Sequence, residues 1–225
     1  MEKNAIDYSL YLVTDRELSM GRSNLSVVKS AVKGGVSCIQ LREKNCSTAD
    51  FIEEALFLKD FLTSRNIMLI INDRVDVALA VGANGVHLGQ KDMPISFARK
   101  IVGDSMIIGI SAECLDDAVR AEKEGADYIG VGPICFTSTK TDLGEPLGLE
   151  GLIRIRQRIK IPIIAIGGLK PANAESVIKT GVDGIAVVTA IVSAKDPEKA
   201  AKKLKRIIIK ARGYESERNR RIRAY

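Results

Sequence analysis

The chain has 225 residues, enough for one large domain with a full core. Its 46% apolar and 28% charged content is ordinary for an ordered globular protein, and no run nears the roughly 18 uncharged apolar residues of a membrane span. The net charge of +6 is uneven: residues 199–225 carry +9, which leaves −3 on the rest, so neither a nucleic-acid partner nor a membrane partner is expected.

The first ten residues, MEKNAIDYSL, hold no basic stretch followed by an apolar one, so no secretory leader is expected. The first strand is predicted in YLVTD (11–15), ending in the polar Thr14, Asp15 and Arg16. A second follows Gly35 in GVSCIQLR. Its end places Gln40, Arg42 and Lys44 at alternate positions, which face one side if the extended geometry persists. A helix over 48–64 starts behind Ser47 or Thr48 as cap. The third strand, IMLIIND (67–73), ends in Asn72, Asp73 and Arg74. The fourth, in GANGVHLG from Gly82, contains His87, with Asp92 a few residues past it. The fifth, MIIGIS (106–111), ends in Ser111, before a helix over 115–124. The sixth, in GADYIGVG from Gly125, leads into CFTSTKTDLGEPLG (135–148), which reads equally as a solvated loop or as a phosphate cradle. A helix over 149–158 precedes the seventh strand, IPIIAIGG (161–168), which ends in Gly167 and Gly168. A helix over 171–180 takes Pro171 in its first turn. The eighth strand, in GVDGIAVV from Gly181, ends near Val188 and Thr189.

Four of these strands follow a repeated pattern of glycine, small residue and polar residue. A glycine suits the left-handed end of a helix, and a β-branched run suits a strand buried on both faces. Eight strand–helix units favour closure into a barrel over an open doubly wound sheet. The segment YLVTDRELSMGRS also lacks the Gly-x-Gly-x-x-Gly turn of a dinucleotide site. The predicted fold is α/β, a single (β/α)8 barrel with a closed eight-stranded parallel sheet over residues 1–210. The basic tail, 211–225, is expected to be a helix end or disordered. It holds only Tyr214 and Tyr225 for stacking bases. Cys38, Cys46, Cys114 and Cys135 form no Cys-x-x-Cys pair, which fits a reducing cytoplasm better than a disulfide framework.

In such a barrel the chemistry sits at the C-terminal ends of the strands. Polar residues there can simply leave the core for water. Two cations and two carboxylates on one rim also fit a site. Arg42 and Lys44 would attract an anion, Arg42 as a fork and Lys44 as a point charge. Asp73 and Asp92 offer hard oxygen donors with no His or Cys beside them, which favours Mg²⁺ before Ca²⁺ and points to a diphosphate. Asp73 and Asn72 are equally good caps for the helix opened by NDRVDVALA. His87 is the one histidine and reads as a core or supporting residue, with a general base as the other reading. No Ser-His-Asp or Cys-His pair assembles, which disfavours covalent catalysis, and no zinc spacing is present. Gly167-Gly168, with a helix start at Lys170-Pro171, matches a second phosphate site. Two phosphorylated small-molecule substrates would account for both sites.

The segments QLREK, NDRVDVA, GVHLGQKD, GIS, FTSTKTD, GLEGL, AIGGL and VVTAI, in this order over roughly residues 8–200, resemble the thiamine-phosphate synthase family. The resemblance implies that 4-amino-2-methyl-5-(diphosphooxymethyl)pyrimidine, a hydroxymethylpyrimidine diphosphate, is joined to a thiazole phosphate, either free or as its carboxylate or tautomer. It implies a dissociative substitution with one Mg²⁺ per active site. Arg42, Lys44, Lys140 and Ser111 would form the catalytic set. Gln40, Arg42, Lys44, Asn72, Ser111 and Lys140 would contact the pyrimidine diphosphate, with Leu41 and Glu43 also in the substrate-binding set. Thr137, Ser138, Thr139, Gly168, Val188 and Thr189 would hold the thiazole phosphate, and Asp73 and Asp92 the metal. A thiazole tautomerase of the same barrel shares REK and NDRVDVA. It is expected to lack the Asp of GQxD and the TxTK run, and to carry a His just after strand 6. Here Asp92 and TSTK are present and Pro133 follows Gly132. The tail beyond Lys210 matches nothing in that resemblance, and a homo-oligomer is compatible with the sequence.

Overall fold

The computed structural model describes residues 6–137 and 144–222, with side chains through residue 213. Its strands are β1 (Leu10–Val13), β2 (Cys38–Leu41), β3 (Met68–Asn72), β4 (Gly85–Leu88), β5 (Ile107–Ala112), β6 (Tyr128–Val131), β7 (Ile163–Ile166) and β8 (Gly184–Val187). Each pairs in parallel with the next. β8 returns to β1 with Leu10 opposite Ile185, so the sheet is a closed barrel. Among the described residues the helices are α1 (Asn24–Lys33), α2 (Thr48–Thr63), α3 (Val75–Val81), α4 (Ile95–Val102), α5 (Leu115–Lys123), α6 (Gly148–Arg158), α7 (Ala174–Ile178), α8 (Thr189–Val192) and α9 (Pro197–Ile222). This is the (β/α)8 barrel that the alternating pattern predicts.

The strands read as unbroken apolar runs because both of their faces are buried. In β1, Leu10 and Leu12 pack outward under the helices, while Tyr11 and Val13 point to the barrel axis. Each fully buried Leu or Ile contributes about 1.5–3 kcal/mol relative to exposure. Inward glycines make room for the large residues on the axis. A Cβ on Gly109 would fall inside the Tyr128 ring.

The repeated triplets lie at the opposite end from the predicted site. Gly35, Gly82, Gly125 and Gly181 all take positive φ, between 60° and 98°, and turn the chain out of a helix. The polar residue that follows then reaches back to an earlier strand. Ser37 Oγ accepts the Leu10 N–H at 3.2 Å, and Asn84 Oδ1 accepts that of Leu69 at 2.8 Å. Asp127 and Asp183 accept those of Ile108 and Ile163, both at 2.8 Å. Each triplet therefore ends a helix and satisfies a backbone donor in one step.

The start of α7 differs from expectation. Residues 171–173 form a turn, so Pro171 precedes α7 instead of opening it. Asn173 Oδ1 accepts the Lys170 N–H at 2.8 Å, and this side-chain turn delays the helix to Ala174. At the other end, α9 runs through residue 210 and its backbone stays helical to Ile222. No helix among the described residues is long and apolar enough to cross a membrane.

Candidate active site

The last inward-facing residues of the strands surround a cavity of about 180 Å³ at the C-terminal end of the barrel. Gln40, Arg42, Asn72 and Ser111 line one part of its wall. Thr137, Gly168, Val188 and Thr189 line another. Strand alternation explains why Gln40 and Arg42 share a side. The same alternation turns Leu41 outward, fully buried in the layer under the helices. Glu43 also faces elsewhere. Its carboxylate bonds Arg16 Nε at 3.3 Å and the buried Asn24 amide at 2.5 Å, tying the β1–α1 and β2–α2 segments together. Ser138, Thr139 and Lys140 lie outside the described residues.

Arg42 is held from β1. Its N–H donates to the buried Thr14 Oγ1 at 3.0 Å, and its guanidinium pairs with Asp15 at 2.9 Å. Lys44 reaches the neighbouring unit and pairs with Asp73. Asp73 has φ 61°, a left-handed conformation that Asp and Asn tolerate best among side-chain-bearing residues. Its N–H donates to the His87 carbonyl at 2.8 Å, which fixes the turn. The capping position of α3 belongs to Arg74, so neither Asn72 nor Asp73 serves as that cap.

Asp92 Oδ2 accepts the Gly89 N–H at 2.7 Å, and its carboxyl is hydrogen-bonded to that of Asp73. Burial, then the neighbouring Asp73, raises the Asp92 carboxyl above the usual range. Burial also acts to raise Asp73, but hydrogen bonds from Lys44 and Asp92 outweigh it and hold Asp73 low. Two carboxylates this close need a shared proton or a cation between them. Among the described residues no third His, Cys, Asp or Glu joins them. Two hard oxygen donors fit Mg²⁺, which typically keeps water and substrate oxygens for its other positions.

Along the floor of the cavity runs a row of hydrogen bonds. Gln40 Nε2 donates to Tyr11 Oη at 3.0 Å, and the Tyr11 and Tyr128 hydroxyls are 2.9 Å apart. Tyr128 Oη meets His87 Nδ1 at 2.9 Å, and His87 Nε2 meets Ser111 Oγ at 3.0 Å. His87 is thus bonded through both nitrogens, as a supporting residue is. On the far side, the space above Gly167 and Gly168 is filled by the backbone of residues 133–136. The Ile134 and Cys135 N–H groups donate to Ile166 and Gly167 carbonyls at 3.0 Å. These glycines therefore let the strand-6 segment lie across the end of β7. Sequence reasoning did not single out Tyr11, Tyr128 or Asp15 as site residues. Their period-two phase with Val13 and Gly130 was the available signal.

A closed parallel barrel with charged and polar side chains collected at its C-terminal strand ends has the plan of a (β/α)8-barrel enzyme. The family model described as thiamine monophosphate synthase matches residues 10–191. The chain is 52% identical over 202 residues to the thiamine-phosphate synthase of Clostridium novyi strain NT, covering 90% of this chain and 99% of that protein. It is 51% identical over 203 residues to that of Chloroflexus aurantiacus, covering 90% and 94%. A solved thiamine phosphate pyrophosphorylase from Pyrococcus furiosus superposes with a TM-score of 0.85 at 42% identity, covering 91% of this chain and 97% of that one. The chain belongs to the thiamine monophosphate synthase family.

Proposed function

We propose that this enzyme joins the hydroxymethylpyrimidine diphosphate to the thiazole phosphate, forming thiamine phosphate and pyrophosphate in the cytoplasm. The observation that carries the reading is the Asp73–Asp92 carboxyl pair, with Lys44 bonded to Asp73 and with Asn72, next in the chain, in the cavity wall. Asp73 and Asp92 would hold one Mg²⁺, which when bound neutralises charge on a diphosphate. Asn72 and Ser111 would contact the pyrimidine diphosphate. Gln40 would orient the pyrimidine. Thr137, Ser138, Thr139, Gly168, Val188 and Thr189 would seat the thiazole phosphate.

The C–O bond to the pyrimidine methylene breaks with its electron pair leaving on the diphosphate oxygen. The aminopyrimidine stabilises the resulting cation. The thiazole ring nitrogen then donates its lone pair to form the C–N bond. No proton is removed from the nucleophile, so the step needs no general base. Arg42, Lys44 and Lys140 offset negative charge as the diphosphate departs, and the cavity holds the two reacting atoms together.

Mixing the two phosphorylated precursors with Mg²⁺ should give thiamine phosphate and pyrophosphate in equal amounts. No product at any metal concentration would refute the proposal.

A further inference from the structure

The proposed metal site spans the ends of β3, β4 and β5, and hydrogen bonds stitch those ends together. Asn72 stands opposite His87, and the Asp73 N–H continues that ladder to the His87 carbonyl at 2.8 Å. One strand further on, Leu88 stands opposite Ile110. A continued parallel ladder would bring the backbone N–H of Gln90 to the Ser111 carbonyl. The chain turns away first. Asp92 closes that turn: its N–H donates to the Gly89 carbonyl at 3.2 Å, and its Oδ2 accepts the Gly89 N–H at 2.7 Å. The Ser111 carbonyl instead accepts from the Gln90 side chain, whose Nε2 donates at 2.5 Å. A side chain thus replaces a rung of the sheet and ties the turn that carries Asp92 to the end of β5.

Arg120 of α5 settles which way the Gln90 amide faces. Its Nη2 donates to Gln90 Oε1 at 2.6 Å. A guanidinium can only donate and a carbonyl can only accept, so both neighbours select the same amide orientation. Asp117 holds Arg120 in turn, with Oδ1 at 2.6 Å, and its Oδ2 accepts the Glu113 N–H at 3.1 Å. Gln90 and Arg120 are exposed, and neither lines the cavity. Exposed bonds of this kind add little to folding. What they join is more telling: Ser111, in the cavity wall, and the turn that holds Asp92.

We propose that Gln90, oriented by Arg120, sets the spacing between the Asp73–Asp92 pair and Ser111, and with it the grip on a metal-bound diphosphate. The proposal rests on the function given above. Gln90 and Arg120 are positioning residues in it. A diphosphate that meets the metal at one end and the Ser111 hydroxyl at the other needs both at a fixed separation. Residues that orient metal-binding side chains from behind typically matter about 10- to 100-fold in affinity.

Pyrophosphate titrated into the full protein at saturating Mg²⁺, followed by calorimetry, reads that grip without turnover. Gln90→Leu keeps much of the side-chain bulk and removes both of its bonds. It should weaken pyrophosphate binding roughly 10- to 100-fold, with Tm close to the wild type. The KM for the pyrimidine diphosphate should rise with it, and the KM for the thiazole phosphate should not. A merely structural role would lower Tm and leave the affinity of the folded protein alone. Arg120→Ala should act in the same direction but less strongly, because Gln90 can still reach Ser111. Arg120→Lys can donate to Gln90 Oε1 and should restore most of the loss. Arg120 acts through Gln90, so Gln90→Leu with Arg120→Ala should bind no worse than Gln90→Leu alone. Wild-type pyrophosphate affinity in Gln90→Leu, or additive losses in the double variant, overturns the proposal. If Gln90→Leu does not fold, Arg120→Ala makes the same demand, and unchanged affinity there overturns it. A protein that makes no thiamine phosphate yet loses pyrophosphate affinity in Gln90→Leu keeps the positioning role and loses the proposed activity. Product formation with an affinity that none of these substitutions moves does the reverse.

Discussion

Asp73 lets backbone and chemistry be separated by two substitutions at one position. Its φ of 61° is a conformation that Asn tolerates and Ala does not. Asp73→Ala should therefore cost about 1–2 kcal/mol in backbone strain alone. For a chain of this size that lowers Tm by about 2–4 °C per kcal/mol. Asp73→Asn avoids that strain. It also weakens the ion pair with Lys44, which is half exposed and worth roughly 0–1 kcal/mol, and it relieves the crowding that raises Asp92. These effects oppose each other, so Asp73→Asn should melt close to the wild type. Its effect on turnover should be large. Loss of one of two anionic donors, at about 1.5–3 kcal/mol for a charged contact, predicts roughly a 10- to 100-fold fall in kcat/KM. The Mg²⁺ concentration for half-maximal rate should rise with it. The assay is thiamine phosphate formation against Mg²⁺ concentration, with thermal melts on the same three proteins. Wild-type metal dependence in Asp73→Asn would refute the metal assignment. Equal melting of the Asn and Ala variants would refute the backbone argument.

Two further outcomes follow from packing and protonation. Gly109→Ala should overpack the barrel axis against Tyr128 at about 1–3 kcal/mol, and combination with Tyr128→Leu should be less than additive in denaturant melts; full additivity would show that the ring does not occupy that space. The Asp117 carboxylate accepts the Glu113 N–H at 3.1 Å and pairs with Arg120; burial acts to raise its pKa, but these bonds and that of Cys114 hold it below the usual 3.8. A carboxyl held low in the folded chain stabilises above its unfolded pKa and loses that contribution as pH falls through the folded one. Asp117→Asn should thus lower stability by about 1 kcal/mol near neutrality, a difference that closes in melts below about pH 3.8; a gap that widens on acidification would contradict the sign.

The strands were legible because a doubly buried parallel strand leaves a short apolar run between turn residues, as IIAI does in β7. The triplet glycines were legible because a left-handed helix end excludes most side chains. What the polar third residue does was not, since Asp127 and Asp183 bond to strands about twenty residues away in sequence. Within the candidate site, alternation sorted Gln40 and Arg42 onto one side correctly. Segment-level resemblance carried Leu41 and Glu43 along with them, although their side chains face the outer layer and the β1–α1 segment. Tyr11 and Tyr128 hid for the opposite reason. A tyrosine inside an apolar run looks like core filling, and only the closure of the barrel brings their hydroxyls to 2.9 Å from opposite strands. Pro171 gave the right neighbourhood for α7, but the Asn173 side chain decided where the helix begins.

The two ends of the barrel divide these duties, and the axis connects them. At the N-terminal end, polar residues are spent on backbone donors of the sheet, where a change alters stability. At the C-terminal end, Arg42, Lys44, Asp73 and Asp92 hold charge next to a cavity, where a change alters ligand chemistry. Most axis residues, such as Ile70, Ile107 and Ile164, are apolar and transmit nothing but volume. Tyr11 and Tyr128 differ because each carries a hydroxyl whose single hydrogen must point one way. Burying them is tolerable only while Gln40 and His87 complete the row. Tyr128→Phe, a change in the floor of the cavity, removes a bond from both Tyr11 and His87 and should lower stability by about 1–3 kcal/mol in denaturant melts; an unchanged midpoint would show that the row contributes nothing to folding.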